Sequence, residues 1–245
     1  MFGYYGYGFN SGYFSSMIVL LPAFIFTLFV QAKMKSTYAR YSNLENSKHI
    51  TGVEAARILL DREGLSDTVP INIIRGDALT NYYDPRSNSL NLSEAVGNDY
   101  SIASMCIACH EVGHAIQHNK GYAPITIRNA LVPLTNFTQG ISWPLIMIGL
   151  VLTWQNPASM AGNMLFNFGV ICFLVVCLFH LVTLPVEFDA SHRAIAKMQE
   201  YGIVDDRDLE GSKAVLRSAA MTYVAALATA VAALLRVLVM RGSRE

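Results

Sequence analysis

The sequence predicts a mainly α-helical membrane protein, with about four transmembrane helices and a small α+β unit at the membrane surface. Three observations carry this: an apolar composition, three long charge-free runs, and a change of hydrophobic period between the first two of those runs. Of the 245 residues, 53% are hydrophobic and 15% are charged. Mean hydropathy is +0.34, too apolar for an ordinary soluble domain of this length. The formal net charge is zero, so no basic surface for nucleic acid is expected.

Charges are absent from Met1 through Ala32, from Asn129 through Val186 and from Ser218 through Leu235. A helix needs about 20 apolar residues to cross the hydrocarbon core, so the outer runs hold one span each and the 58-residue middle run holds two. The predicted spans are about 13–31, 134–154, 165–186 and 218–238, with a turn from Gln155-Asn156-Pro157 to Gly162-Asn163. The first run reads as a retained anchor, because it lacks a basic n-region and a small-x-small cleavage site. Its Gly- and Tyr-rich start, Gly3 to Tyr13, suits an interfacial belt.

Lys and Arg number ten between residues 32 and 130 and five between 187 and 217, with none in the 155–164 turn. The positive-inside rule therefore predicts a multi-pass protein of the cell membrane with both charged segments in the cytoplasm. Arg236, Arg241 and Arg244 then fall on the opposite side. Either a short basic tail is tolerated there or the last span is re-entrant.

Within the first charged segment, Thr51-Gly-Val-Glu54 forms a capping-box pattern opening an amphipathic helix from Val53 to Glu63, in which Ala56, Leu59 and Leu60 are apolar and which Gly64 ends. Val69 to Ile74 alternates like a strand. Tyr82 to Leu92 reads as a hairpin or strand pair turning at Asp84-Pro85. From about Tyr100 to Asn119 the period becomes helical.

That last helix carries His110-Glu111-Val112-Gly113-His114. Residues four apart share a helix face, so His110 and His114 can present imidazole nitrogens to one metal with Glu111 beside them. In this H-E-x-x-H pattern zinc is the expected metal and the intervening Glu111 the catalytic general base. Glu187 is the first charge after the middle apolar run. A carboxylate at the membrane edge is costly unless paired or metal-bound, so Glu187 is expected as the third metal ligand ahead of the plainer reading, a charge flanking the cytoplasmic end of the span.

Tyr83-Asp84-Pro85, Leu90-Asn91-Leu92-Ser93, His110 through His118 and Pro185-Val186-Glu187-Phe188-Asp189-Ala190-Ser191 together resemble the YugP-type neutral zinc metallopeptidases, over nearly the whole chain. More distantly, Glu187-x-x-Ala190-Ser191 is similar to the E-x-x-A-D element of HtpX-like and CAAX-prenyl proteases, which implies Glu187 as the third zinc ligand. Ser191 stands where those families carry Asp. The resemblance implies a gluzincin-like zinc peptidase unit, hence a membrane-anchored metalloendopeptidase acting on polypeptides, with membrane proteins among the substrates it could meet. The expected layout is an anchor at 1–32, a catalytic segment at 33–130, a transmembrane hairpin at 131–186, a third-ligand segment at 187–217 and a final span with its tail at 218–245.

Other residues bear on rival chemistry. A metzincin site would need Gly at 117 and His at 120, where the chain has Gln117 and Lys120. His118 lies two helical turns, about 12 Å, beyond His110, and is expected near the surface or behind a ligand. His180 sits inside the third span ahead of Pro185, which is expected to kink that helix. Asp189 falls off the ligand face and reads as a solvated or structural carboxylate.

Cys106-Ile-Ala-Cys109-His110 also matches the C-x-x-C-H pattern of c-type haem attachment, but that would leave Glu111, His114 and Glu187 unused. As a pair, Cys106 and Cys109 are expected to pack as small buried residues, and Cys172 and Cys177 to remain thiols. A site-2-type intramembrane protease would need an Asp in a late span, and these spans contain none. A non-proteolytic adaptor with structural zinc is the remaining alternative, although such sites favour four ligands with cysteine. For a protease, substrate is expected to add to an edge strand between Asn81 and Leu92. His192, Arg193 and Tyr201 are the nearby candidates for stabilising an oxyanion.

Overall fold

A computed structural model describes residues 16–242. The Gly3–Tyr13 run, the start of the first predicted span and Arg244 lie outside them. In chain order the elements are helix α1 (Leu21–Tyr41), α2 (Gly52–Arg62), strands β1 (Ile71–Ile74), β2 (Tyr82–Asp84) and β3 (Ser89–Ser93), the short helix α3 (Glu94–Gly97), then α4 (Ile102–Asn119), α5 (Ala123–Gln155), α6 (Met160–Glu200) and α7 (Asp206–Gly242). Helices α1, α5, α6 and α7 are each long and apolar enough to cross a membrane. The protein is thus a mainly α-helical membrane protein with a small three-stranded sheet.

Each of these helices outruns its apolar segment. Hydropathy marks where lipid-compatible side chains stop, whereas the backbone ladder continues through charged residues that favour helix. Helix α6 accordingly continues through Pro185 to Glu200 as one helix.

The chain divides into two units. One comprises Met1–Phe29, Ile127–Thr183 and Tyr223–Glu245. Inside it, small residues let the middle pair of helices approach: a Cβ on Gly149 would stand 2.5 Å from the backbone nitrogen of Phe166, and one on Gly169 would stand 2.9 Å from that of Ile146. Close backbone approach through glycine is a common way for membrane helices to associate. Ile146, Phe166, Phe173 and Val237 form the buried centre of this unit. At the end of α7, Arg241 donates to Asn167 Oδ1 and, at 3.4 Å, to Asn163 Oδ1, with its guanidinium 4.9 Å from the Phe166 ring centre. The end of α7 therefore lies beside the start of α6, on the side of the 155–164 turn.

The other unit comprises Val30–Thr126 and Leu184–Thr222. Its core gathers Leu59, Leu60, Leu90, Leu92, Met105, Ile116 and Met198. The capping box is formed as expected: Thr51 Oγ1 accepts from the Glu54 N–H, and Glu54 Oε2 accepts from the Thr51 N–H. Gly64, at φ +70°, ends the helix in the left-handed region.

The sheet order is β1-β3-β2, with β1 parallel and β2 antiparallel to β3. Pairing beside β1 starts where the Leu90 N–H donates to the Pro70 carbonyl. Pro70 has no N–H to return, so the strand begins two residues later than the alternation suggests. The sheet also narrows the expected edge. Ser89–Ser93 is the central strand, which leaves Tyr82–Asp84 as the edge on that side.

Candidate metal centre

Helix α4 starts at Ser101, whose hydroxyl accepts from the Ser104 N–H, and it is buried along most of its length. That burial fixes the rotation of the helix and aims one face, bearing His110 and His114, at α6. Gly113 makes the approach possible. A Cβ there would stand 2.6 Å from the Ala190 carbonyl oxygen, so the backbone of α6 occupies the space any other side chain would need.

Across that contact, His110 Nε2 is 3.3 Å and His114 Nε2 is 3.6 Å from Glu187 Oε2. The three donor atoms lie within 4.8 Å of one another. Glu187 is 1% exposed, and a carboxylate so buried needs compensating charge. Two imidazoles and one carboxylate form a donor set suited to zinc with one open position. Among the described residues no other group of His, Cys, Asp or Glu converges in this way.

The outer nitrogens of the two imidazoles also have partners. His110 Nδ1 is 3.2 Å from Ser191 Oγ, so the serine at the variant position reaches the histidine. His114 Nδ1 is 3.0 Å from Gln117 Oε1, and Gln117 Nε2 donates to the Val186 carbonyl and to Asp189 Oδ2, both at 2.8 Å. Asp189, a quarter exposed, is thus the structural carboxylate that one of its two sequence readings expected; it also accepts from Arg193 Nε at 2.5 Å. Sequence reasoning missed Gln117. Its spacing of three from His114, which puts both on one helix face, was the available signal.

Glu111 points to the sheet. Its Oε2 accepts from the backbone N–H of Tyr83 at 3.0 Å, and the same tyrosine's hydroxyl lies 2.6 Å from both Asn88 Oδ1 and His118 Nδ1. Strand β2 is thus tied to α4 at residues 111 and 118, seven apart on one face. Burial first and the neighbouring Asp84 second push the Tyr83 phenol up to about 12, so it stays protonated and able to donate to Asn88.

The remaining candidates fall away from the centre. His118 is exposed and braces Tyr83, and His180 is half-buried in the other unit. Two of the oxyanion candidates are engaged elsewhere: Arg193 with Asp189 and the Tyr122 ring, and Tyr201 with Glu63 Oε1 at 2.7 Å. Cys106 and Cys109 are fully buried, with Cys106 donating to the Ala103 carbonyl and burial pushing the Cys109 thiol up to about 12. Such packing leaves no space for haem thioethers. Cys172 and Cys177 are free thiols.

Residues 16–242 match the model of a family described as "Putative neutral zinc metallopeptidase". A relative from Bacillus subtilis (strain 168), named "Putative membrane protease YugP", is 38% identical over 220 residues, covering 90% of this chain and 93% of the relative. No solved structure matches the chain. A match over nearly the full length, in a chain whose two motif histidines meet a distant buried glutamate, means that this protein belongs to that neutral zinc metallopeptidase family.

Proposed function

We propose that this chain is a membrane-anchored, zinc-dependent metalloendopeptidase, with His110, His114 and Glu187 as the zinc ligands and Glu111 as general base. One observation carries the reading: donors separated by 77 residues converge within 4.8 Å, on a helix whose intervening carboxylate is held by a sheet edge. Structural zinc sites use four protein ligands and favour cysteine, whereas the neighbouring Cys109 is buried in the core. Zinc held there would supply a Lewis acid for the scissile carbonyl and lower the pKa of water toward about 7.

Glu111 would take the proton of the attacking water and return it to the leaving amine. The Tyr83 N–H holds its carboxylate in the meantime. That N–H projects from the outer side of β2, away from β3, so an extended polypeptide adding along Tyr82–Asp84 would pass directly beside Glu111. The Lys and Arg distribution supports a cytoplasmic site, and the relative's name supports a membrane protease.

The test is metal content of the detergent-purified protein, together with cleavage of an unfolded casein. About one zinc per chain is expected, kept in Glu111→Gln and weakened in Glu187→Ala, with chelator-sensitive cleavage lost in both. Absence of zinc, or a haem absorption band, would overturn the reading. Zinc that remains bound in Glu187→Ala would overturn the ligand set.

A further inference from the structure

Gln117 is fully buried, and its two ends face different chemistry. One end meets the Val186 carbonyl oxygen and Asp189 Oδ2, each at 2.8 Å. Both of those atoms only accept, so that end must be the NH2 group. The other end is then the carbonyl Oε1, which also only accepts, and it lies 3.0 Å from His114 Nδ1. His114 must therefore carry its proton on Nδ1. In a neutral ring this leaves the Nε2 lone pair on the side of Glu187, whose Oε2 is 3.6 Å away.

From this chain of contacts we infer that Gln117, oriented by Asp189 and the Val186 carbonyl, is a positioning residue that fixes the His114 tautomer and presets Nε2 as a metal donor. The inference deepens the zinc peptidase reading and rests on it for the identity of the metal. Asp189 in turn is held by Arg193, which stacks on Tyr122 at 5.5 Å. The relay also does a second thing. Through Val186 and Asp189, Gln117 grips α6 on both sides of Glu187, so the bond that orients one ligand also locates another. His110 has no such relay, since a serine hydroxyl can donate or accept and imposes no tautomer.

The test uses the full-length protein in detergent, with histidine labelled in the ring nitrogens. In the zinc-free wild type, the 15N shifts of His114 should report the Nδ1–H tautomer. Gln117→Leu should yield mixed tautomers and weaken zinc affinity about 10- to 100-fold, measured by chelator competition, as is typical for partners behind a ligand. Gln117→Glu keeps an acceptor for His114 but sets it against Asp189, and should lose a similar factor. Asp189 Oδ2 accepts from Arg193 Nε as well as from Gln117 Nε2, so exchanging amide and carboxylate cannot rebuild both contacts, and the tautomer is the deciding readout: packing alone would leave it unchanged in Gln117→Leu. Nε2–H in the zinc-free wild type, or an unchanged Nδ1–H tautomer in Gln117→Leu with the zinc-free fold intact by circular dichroism, would overturn the inference. Should wild type bind no zinc yet show Nδ1–H tautomer control by Gln117, the positioning role stands and the zinc reading fails.

Discussion

Replacing Gly113 by Ala sets two effects of known sign against each other. In an open helix the change adds stability of about 1 kcal/mol, because glycine loses the most backbone entropy on folding. At this position the new methyl carbon would stand 2.6 Å from the Ala190 oxygen and 3.2 and 3.3 Å from the Ala190 carbonyl carbon and Cα. These are backbone atoms and cannot rotate aside. Restoring ordinary contact requires α4 and α6 to separate locally by about 0.5–1 Å, and overpacking of this kind costs about 1–3 kcal/mol. The net effect on the zinc-free fold is then a loss of about 0–2 kcal/mol. Metal binding should suffer more. Ala190 follows Glu187 by one helical turn and Gly113 adjoins His114, so the separation passes straight into the donor set, where distances tolerate about 0.2 Å. Zinc affinity should fall by at least tenfold by chelator competition, and thermal melting of the zinc-free form should show little or negative change. Gly140→Ala is the control: nothing lies within 4 Å of a Cβ there. A Gly113→Ala protein that melts higher by the full helix-propensity gain, with unchanged zinc affinity, would refute the close-contact argument.

The other substitutions probe the supports around the centre. Tyr83→Phe removes the contacts with Asn88 and His118 while keeping the backbone N–H on Glu111; it should cost about 1 kcal/mol of stability and less than tenfold in kcat with metal content unchanged, whereas a hundredfold loss would give the hydroxyl a direct role. Glu63 receives Lys197 at 2.8 Å, Tyr201 at 2.7 Å and Lys120 at 3.2 Å. Burial pushes its carboxyl up, but the hydrogen bonds from Lys197, Tyr201 and Lys120 outweigh this and bring it down from 4.5 to about 2. A carboxyl depressed by folding stabilises above its unfolded value and loses that contribution as pH falls, here between about 4.5 and 2. Glu63→Gln should therefore lower stability near neutrality by about 1.5–3 kcal/mol and flatten the acid side of a pH-dependent melt; an unchanged acid limb would show that the cluster contributes nothing.

Much of this architecture was legible because its signals are local. The capping box at Thr51 and Glu54, the stop at Gly64 and the turn at Asp84-Pro85 are each written within a few residues, and the spans follow from runs without charge. What could not be read depends on partners far apart in sequence. The alternation at Val69–Ile74 announces a strand but not that it pairs in parallel with Ser89–Ser93, since parallel pairing leaves no turn signature. The internal position of Ser89–Ser93, and hence the short sheet edge at Tyr82–Asp84, is a consequence of that pairing alone.

The centre divides along the same line. His110, Glu111 and His114 are readable because one helix turn supplies them, and Glu187 because a carboxylate ending an apolar run demands a reason. Gln117 and Asp189 gave weaker signals: taken singly, one is a polar residue three positions from a motif histidine and the other a charge off the ligand face. Only their meeting across 72 positions makes them functional candidates. Besides the contacts of the two histidines themselves, α4 meets α6 here through Gln117, to residues 186 and 189, and through Gly113, to residue 190. They bracket Glu187 within one helical turn. A side chain too large at 113 and an unoriented amide at 117 would thus disturb the same buried carboxylate, one by distance and one by angle, which gives a physical reason for a costly glycine and a buried glutamine beside the two histidines of the motif.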